Sequence, residues 1–489
     1  VKIKSYSVFI AVLFLAGCAK KEIPQGICGM PLLEADGIRL KSGSPPVLEA
    51  TGFPASVRIA NSDPAETRTC TFELTGPQVR PEQLFFRFGP RDARVEVLSK
   101  DRVRITYPIR FRSYGVVSLE PVVTAPADPR RFEHAGLSFG VSGGALLRIE
   151  AGVPRIRSLG PATQVQIKNG GGENRHLELL VDNTSDRLSE AQMRGVGPGR
   201  VVLKREGPLV LRLTGELQPG ENVWLTLMPR PLRHPYSFIF GGDVKEQLEV
   251  FLGMMKQVRA KADPLFMLAV GDYTRNSLPS EIDLFLKKTA DLPFPVYYVK
   301  GNHESRCQGD AHYRRFFGPE NFSFKVSQML FIIMDTSASV HDRTGYRITP
   351  EAFQTAEKAL AQNPSTPWKF LSLHVPPHPL HGAYQHKDLN SNLNAQDAER
   401  LKSLAEKNQV SYVLSGHAHL YARKAENGVV YLTSGGGGAL LHNYSPLPGF
   451  SINTEKHLML FHVTAQGIEE EMITQKQPAP AATTTGGGR

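Results

Sequence analysis

Four short clusters in this chain carry side chains able to hold a cation. They are Gly242-Asp243, Gly271-Asp272, Gly301-Asn302-His303-Glu304 and Ser415-Gly416-His417-Ala418-His419, with a lone His374 between the third and the fourth. Each follows a short apolar run, which puts carboxylates, an amide oxygen and imidazoles at strand ends. That is the donor mixture a pair of hard or borderline metal ions takes. Singly the clusters are weak, because a Gly-Asp pair is usually a turn and one histidine after an apolar strand is more often a satisfied core residue. His417 and His419 alternate on an extended segment, so both imidazoles lie to one side. Asn302 beside His303 after a buried strand needs polar partners or a metal. With four clusters in this order, coincidence is the poorer explanation.

The elements that must position these residues form an α/β pattern. Residues 237–240 read as a buried strand, and Leu248, Phe251, Leu252, Met255 and Val258 then recur at helical spacing. Residues 265–270 are the next strand, and Ser280 is placed to cap a helix carrying Ile282, Phe285 and Leu286. Further strands are expected at 296–299, 330–334, 369–373 and 410–414, with helices over 350–362 and 395–408. Alternation of this kind predicts a layered α/β domain over 236–474 with ligands at the strand ends. Before it, from about residue 28 to 233, short segments such as 94–98, 102–107, 116–119, 176–181 and 209–213 alternate or run apolar between turn residues. They predict all-β sandwich-like modules over 18–120 and 130–233, separated by the proline-rich stretch 121–129. The composition of 475–489, rich in Pro, Ala, Thr and Gly, predicts no packed structure there.

The order of the clusters resembles the calcineurin-like metallophosphoesterase superfamily. The endings G-H-A-H-L-Y-A-R at 416–423 and V-V-Y-L-T-S-G-G-G-G at 429–438 look like its purple acid phosphatase branch. The resemblance covers about residues 236–463. It implies a β-sandwich core flanked by helices, preceded by an accessory β-sandwich, and metal-dependent hydrolysis of phosphate esters with monoesters favoured. It also implies two divalent or trivalent ions (Fe, Mn or Zn). Asp272 would bridge them, Asp243 and His419 would hold the first, and Asn302, His374 and His417 the second. A hydroxide shared by the two ions would attack phosphorus, with Asp272 and His303 at the catalytic centre and His303 protonating the leaving oxygen or stabilising the transition state. Glu304 either orients that imidazole or is solvated. His378 either contacts substrate or is structural, and Gly435 to Gly438 either let backbone approach the site or form a turn.

Two positions depart from the family pattern. Where the first motif is usually D-x-H, Asp243 and Val244 are followed by Lys245, which would face solvent or bind substrate phosphate as a point charge. The tyrosine that purple enzymes place three residues after the second Asp is replaced by Arg275, and a tyrosine stands instead at Tyr273.

A chain of 489 residues exceeds one ordinary core, and 41% hydrophobic with 21% charged residues describe a globular protein. A net charge of +10 favours anionic partners, while no dense Lys/Arg helix or stacked-aromatic motif supports nucleic-acid binding. Lys2 and Lys4, the apolar run 8–15 and small residues before Cys18 form an export signal over 1–17. Leu15-Ala16-Gly17-Cys18 resembles a bacterial lipoprotein box, implying acylation of Cys18, and Ala19 looks like the outer-membrane sorting pattern; a plain secretory peptide is the alternative. Cys28 and Cys70 could close a disulfide in an oxidising compartment, leaving Cys307 as a buried, inert thiol. The expected location is the cell envelope, lipid-anchored on the periplasmic or surface side. Other readings are a phosphodiesterase or nucleotide hydrolase on the same residues, and a non-catalytic envelope lipoprotein that binds through its β-modules.

Overall fold

Short strands with alternating burial build the first half of the chain. The structure, a computed structural model, describes residues 27–475 apart from 29, 31, 37, 42–43, 52–53, 63–64, 77–78, 80, 87–92, 110–112, 121–127, 198, 246, 338–344, 381–390 and 442–446. Cys18 with the expected export signal, most of the proline-rich stretch and the tail from 476 lie outside the described residues. The chain divides into two compact units, one of residues up to 81 with 93–119, the other of 82–92 with 120 onward.

In the first unit, Leu32–Asp36, Ala55–Asn61 and Ser113–Leu119 pair antiparallel. A second sheet runs in the order Ile38–Lys41, Val47–Ala50, Arg68–Thr75, Arg102–Ile109, Arg94–Ser99. Every other residue of Ala55–Asn61 is buried, the period a strand with one covered face requires. Glu73 is buried and matched by Arg102 Nε at 2.6 Å and Arg104 Nη2 at 3.0 Å. Cys28 and Cys70 are joined in a disulfide, and Cys307, in the other unit, is a buried free thiol.

The second unit opens with a β-sandwich of two five-stranded sheets over residues 131–229. Its core holds Leu146, Ile156, Val165, Leu177, Leu213 and Leu225. Asn183 Oδ1 accepts from Val296 N at 2.9 Å and Arg157 Nη2 donates to Val296 O at 2.8 Å. These bonds fix the strand Val296–Tyr298, whose far end leads to Asn302.

Two further sheets make the layered domain. One runs Val296–Tyr298, Met267–Ala269, Tyr236–Gly241, His457–Val463, Ile468–Thr474. The other runs Phe322–Val326, Met329–Ile333, Trp368–Ser372, Tyr412–Ser415, Val429–Ser434, Tyr421–Glu426, Ser451–Asn453. Aromatic rings fill the space between them: Phe238 stacks on Phe266 and Phe461, and Phe331 on Phe370. Helices Leu248–Lys261 and Pro279–Thr289 cover the outer face of the first sheet, while Pro350–Gln362 and Ala395–Lys407 cover that of the second. This is the sandwich core flanked by helices that the resemblance implies. Tyr236–Gly241, Met267–Ala269 and Val296–Tyr298 are parallel, as are Met329–Ile333, Trp368–Ser372, Tyr412–Ser415 and Val429–Ser434. Parallel strands bring their carboxyl ends to one edge, where loops gather ligands.

The second helix begins differently from expectation. Leu278 precedes Pro279 at its first turn, and Glu281 accepts from Asn276 N at 2.8 Å. Ser280 lies inside the helix, with its hydroxyl donating to Glu120 Oε1 at 3.0 Å. Glu281 outcompetes the serine because its carboxylate reaches back over the free N–H groups that a helix start exposes.

Candidate metal centre

Asp243, Asp272, Asn302, His374 and His417 each follow the carboxyl end of a parallel strand, so the topology alone collects them. Asp243, Asp272 and His417 have φ of +60°, +59° and +67°, conformations costly for residues with a Cβ. Close backbone approach forces part of this. A Cβ on Gly301 would lie 2.4 Å from Asp272 N and Oδ1, and one on Gly437 2.3 Å from Gly242 O. Gly435 to Gly438 thus serve close approach, and none of them has a left-handed φ.

Glu304 braces the centre. Its Oε2 accepts from Asp272 N at 2.7 Å and Gly301 N at 2.9 Å, and Oε1 from Tyr273 N at 3.0 Å. It is neither solvated nor bonded to the His303 ring: it is fully buried and holds the turn bearing Asp272. Burial and the adjacent Asp272 charge push its carboxyl up to about 7.

Four acceptor atoms meet at one side of Asp272. His374 Nδ1 lies 2.6 Å from Val270 O, so the ring donates there and turns the Nε2 lone pair inward. His417 Nε2 is 2.8 Å from Ser391 O, which leaves Nδ1 as its inward acceptor. These nitrogens lie 3.0 and 2.9 Å from Asn302 Oδ1, and His374 Nε2 is 3.3 Å from Asp272 Oδ1. Lone pairs that converge without a donor between them require a cation or a proton. Although burial opposes it, the Asp272 charge raises His374 to about 9, the same demand for positive charge expressed as proton affinity. Burial pushes the Asp272 carboxyl up, but the charges of His374 and Lys245 outweigh it and hold it well below its usual range. The residues expected for the second ion therefore fit one.

On the other side of Asp272 the ligand atoms of Asp243, Asp272 and His419 lie within 4.8 Å of one another, a spacing suited to the expected first ion. The Lys245 ammonium already stands among them. Its Nζ is 2.6 Å from Asp272 Oδ2, 3.0 Å from His419 Nε2, 3.1 Å from His303 Nε2 and 3.8 Å from Asp243 Oδ1. Asp272 Oδ2 and Asp243 Oδ1 make no well-angled hydrogen bond, so the contact with the carboxylates is that of an ion pair. Only 5% of the lysine side chain is exposed. The expectation that Lys245 faces solvent is corrected: its charge is turned inward, because two buried carboxylates would otherwise be uncompensated.

His303 reaches the centre in an accepting state. Its Nδ1 is 2.7 Å from Arg275 O, so that nitrogen donates to the carbonyl and Nε2 accepts from Lys245. Burial, with Arg306 beside it, holds the ring well below the usual imidazole range. The low basicity favours a neutral ring beside the Lys245 ammonium. Arg306, which the sequence reading missed, has Nη1 2.9 Å from His303 Nδ1 and forms a cationic rim.

His378 stands apart from these residues. Its ring meets Tyr431 and Phe450 edge-on, and Nε2 lies 3.3 Å from Glu426 Oε2. These contacts favour the structural of its two expected roles. Tyr273 is also turned away: its hydroxyl lies 2.6 Å from Val299 O and 2.8 Å from Ala269 O, inside the helix-facing core.

Residues 236–421 match the family model of the calcineurin-like phosphoesterases, and the match supports a phosphoester hydrolase. No curated protein sequence matches the chain. Among solved structures, the purple acid phosphatase PPD1 from yellow lupin (Lupinus luteus) seeds is similar at 13% identity and a TM-score of 0.45, over 84% of this chain and 92% of that one. GAP50, the anchor in the inner membrane complex of Plasmodium, is 14% identical with a TM-score of 0.39, over 50% and 86%. PhoD is 10% identical with a TM-score of 0.36, over 65% and 90%.

Proposed function

We propose that this chain hydrolyses phosphate monoesters in the cell envelope, using an ion of Fe, Mn or Zn held by Asp272, Asn302, His374 and His417. The convergence of His374 Nε2, His417 Nδ1 and Asp272 Oδ1 on Asn302 Oδ1 carries this reading. Such an ion supplies a Lewis acid for a phosphoryl oxygen and lowers the pKa of a water. The carbonyls of Val270 and Ser391 fix the two imidazoles in the tautomers a metal takes, and Glu304 fixes the turn that presents Asp272. Arg306, at the rim beside His303, supports preference for a dianionic monoester over a singly charged diester. The Cys28–Cys70 disulfide supports an oxidising compartment, and with it export.

Purified protein, stripped by chelator and resupplied with Mn, Fe or Zn, tests the reading against monoesters, diesters and nucleotides. Metal-dependent turnover favouring monoesters is expected. Preference for diesters or nucleotides contradicts the substrate class, and no turnover with any metal returns the binding-lipoprotein reading.

A further inference from the structure

We infer that the Lys245 ammonium permanently replaces the first metal ion, so that the centre works with one exchangeable ion and one built-in organic cation. This rests on the reading of Asp272, Asn302, His374 and His417 as the site of the exchangeable ion.

The coordination around Nζ is that of a cation site and not of a surface lysine. Two carboxylates and two imidazole nitrogens surround it, at 2.6 to 3.8 Å, and both imidazoles are locked with the accepting nitrogen inward. His303 is locked by Arg275 O at 2.7 Å and His419 by Leu440 O, also at 2.7 Å. Each Nδ1 faces a carbonyl and each Nε2 faces the ammonium, so Nε2 offers the same lone pair a metal would take. The lysine backbone is held to match: Lys245 N donates to Asp272 O at 3.1 Å, and φ is +31°, which folds the chain so that the side chain turns back over the two carboxylates. A metal ion and an ammonium cannot share this volume. Placing a divalent ion beside Nζ would set like charges within a few ångströms in a buried setting, which disfavours both.

The substitution has chemical consequences. A fixed single charge offsets one of the two negative charges of Asp243 and Asp272 without an open coordination position, so it stabilises charge but generates no nucleophile. Chelators also cannot remove it.

Metal counting on the full protein tests this. After chelation, reloading with excess Mn or Zn and gel filtration, elemental analysis should find one ion per chain in the wild type and two in Lys245→His, with circular dichroism confirming that the variant is folded. Lys245→Ala serves as a second variant and should also gain an ion, more weakly bound. Two tightly held ions in the wild type would overturn the inference while leaving the proposed function standing. Variants that are folded yet still hold one ion would overturn it too, because something other than the ammonium would then exclude the second. A wild type that holds none sinks the metal reading itself.

Discussion

Glu304 accepts the backbone N–H of Asp272 at 2.7 Å, so a carboxylate with no place in the reacting shell sets where the shared ligand stands. Glu304→Gln turns an amide donor toward N–H groups that now find acceptors. Leaving a buried donor unmatched costs about 1 to 3 kcal/mol. Thermal melts should show that loss, and titration should show weaker metal binding. Unchanged melting and affinity would remove Glu304 from the account.

Asn302→Ala and His417→Ala each delete one of the converging acceptors without opening the aromatic core. Turnover and ion binding should fall by on the order of a hundredfold or more, above the effect of outer-shell partners, while circular dichroism stays native. Full activity in either variant contradicts the ligand assignment.

With His303 Nε2 facing the Lys245 ammonium and Nδ1 facing Arg275 O, we expect leaving groups to receive no proton from this ring. Aryl phosphates should therefore be hydrolysed faster than alkyl phosphates by on the order of a hundredfold or more, the contribution a positioned acid makes. Equal rates on both, lost together in His303→Ala, would restore the acid role.

Stability should fall in mild acid through His312. Burial lowers this imidazole to about 4, and Nδ1 meets Ser277 O at 2.7 Å. The unfolded chain, with an ordinary value near 6.5, binds more protons between those limits. Stability is then fully present above about 6.5 and declines as pH falls toward 4, by up to about 3 kcal/mol. His312→Gln should lessen the fall of denaturation midpoints across that range, the rest belonging to His378 and His457, which burial also lowers to about 4, and an unchanged slope would refute the assignment.

Much of the layered domain was legible because its strands are short, apolar and each followed by a chemical residue. The helix Pro350–Gln362 and the strand ends before Asp243, Asp272, Asn302, His374 and His417 follow from periodicity. What periodicity does not encode is side-chain direction. Lys245 turns inward because Asp243 and Asp272 pull on it, His378 turns away because Tyr431 and Phe450 offer a ring pocket, and Tyr273 is claimed by backbone groups of the core. Glu304 next to His303 suggested a partner for the ring, but its acceptors are spent on N–H groups that only the folded turns bring near it.

The central claim concerns where positive charge sits around Asp272. Crystals of the protein loaded with Mn or Zn, measured at the metal's absorption edge, give anomalous difference density that locates each ion. The account predicts a single peak among Asp272, Asn302, His374 and His417, with the Lys245 side chain ordered between Asp243 and His419. Peaks on both sides of Asp272 with the lysine displaced, or no peak among the four acceptors, would contradict it.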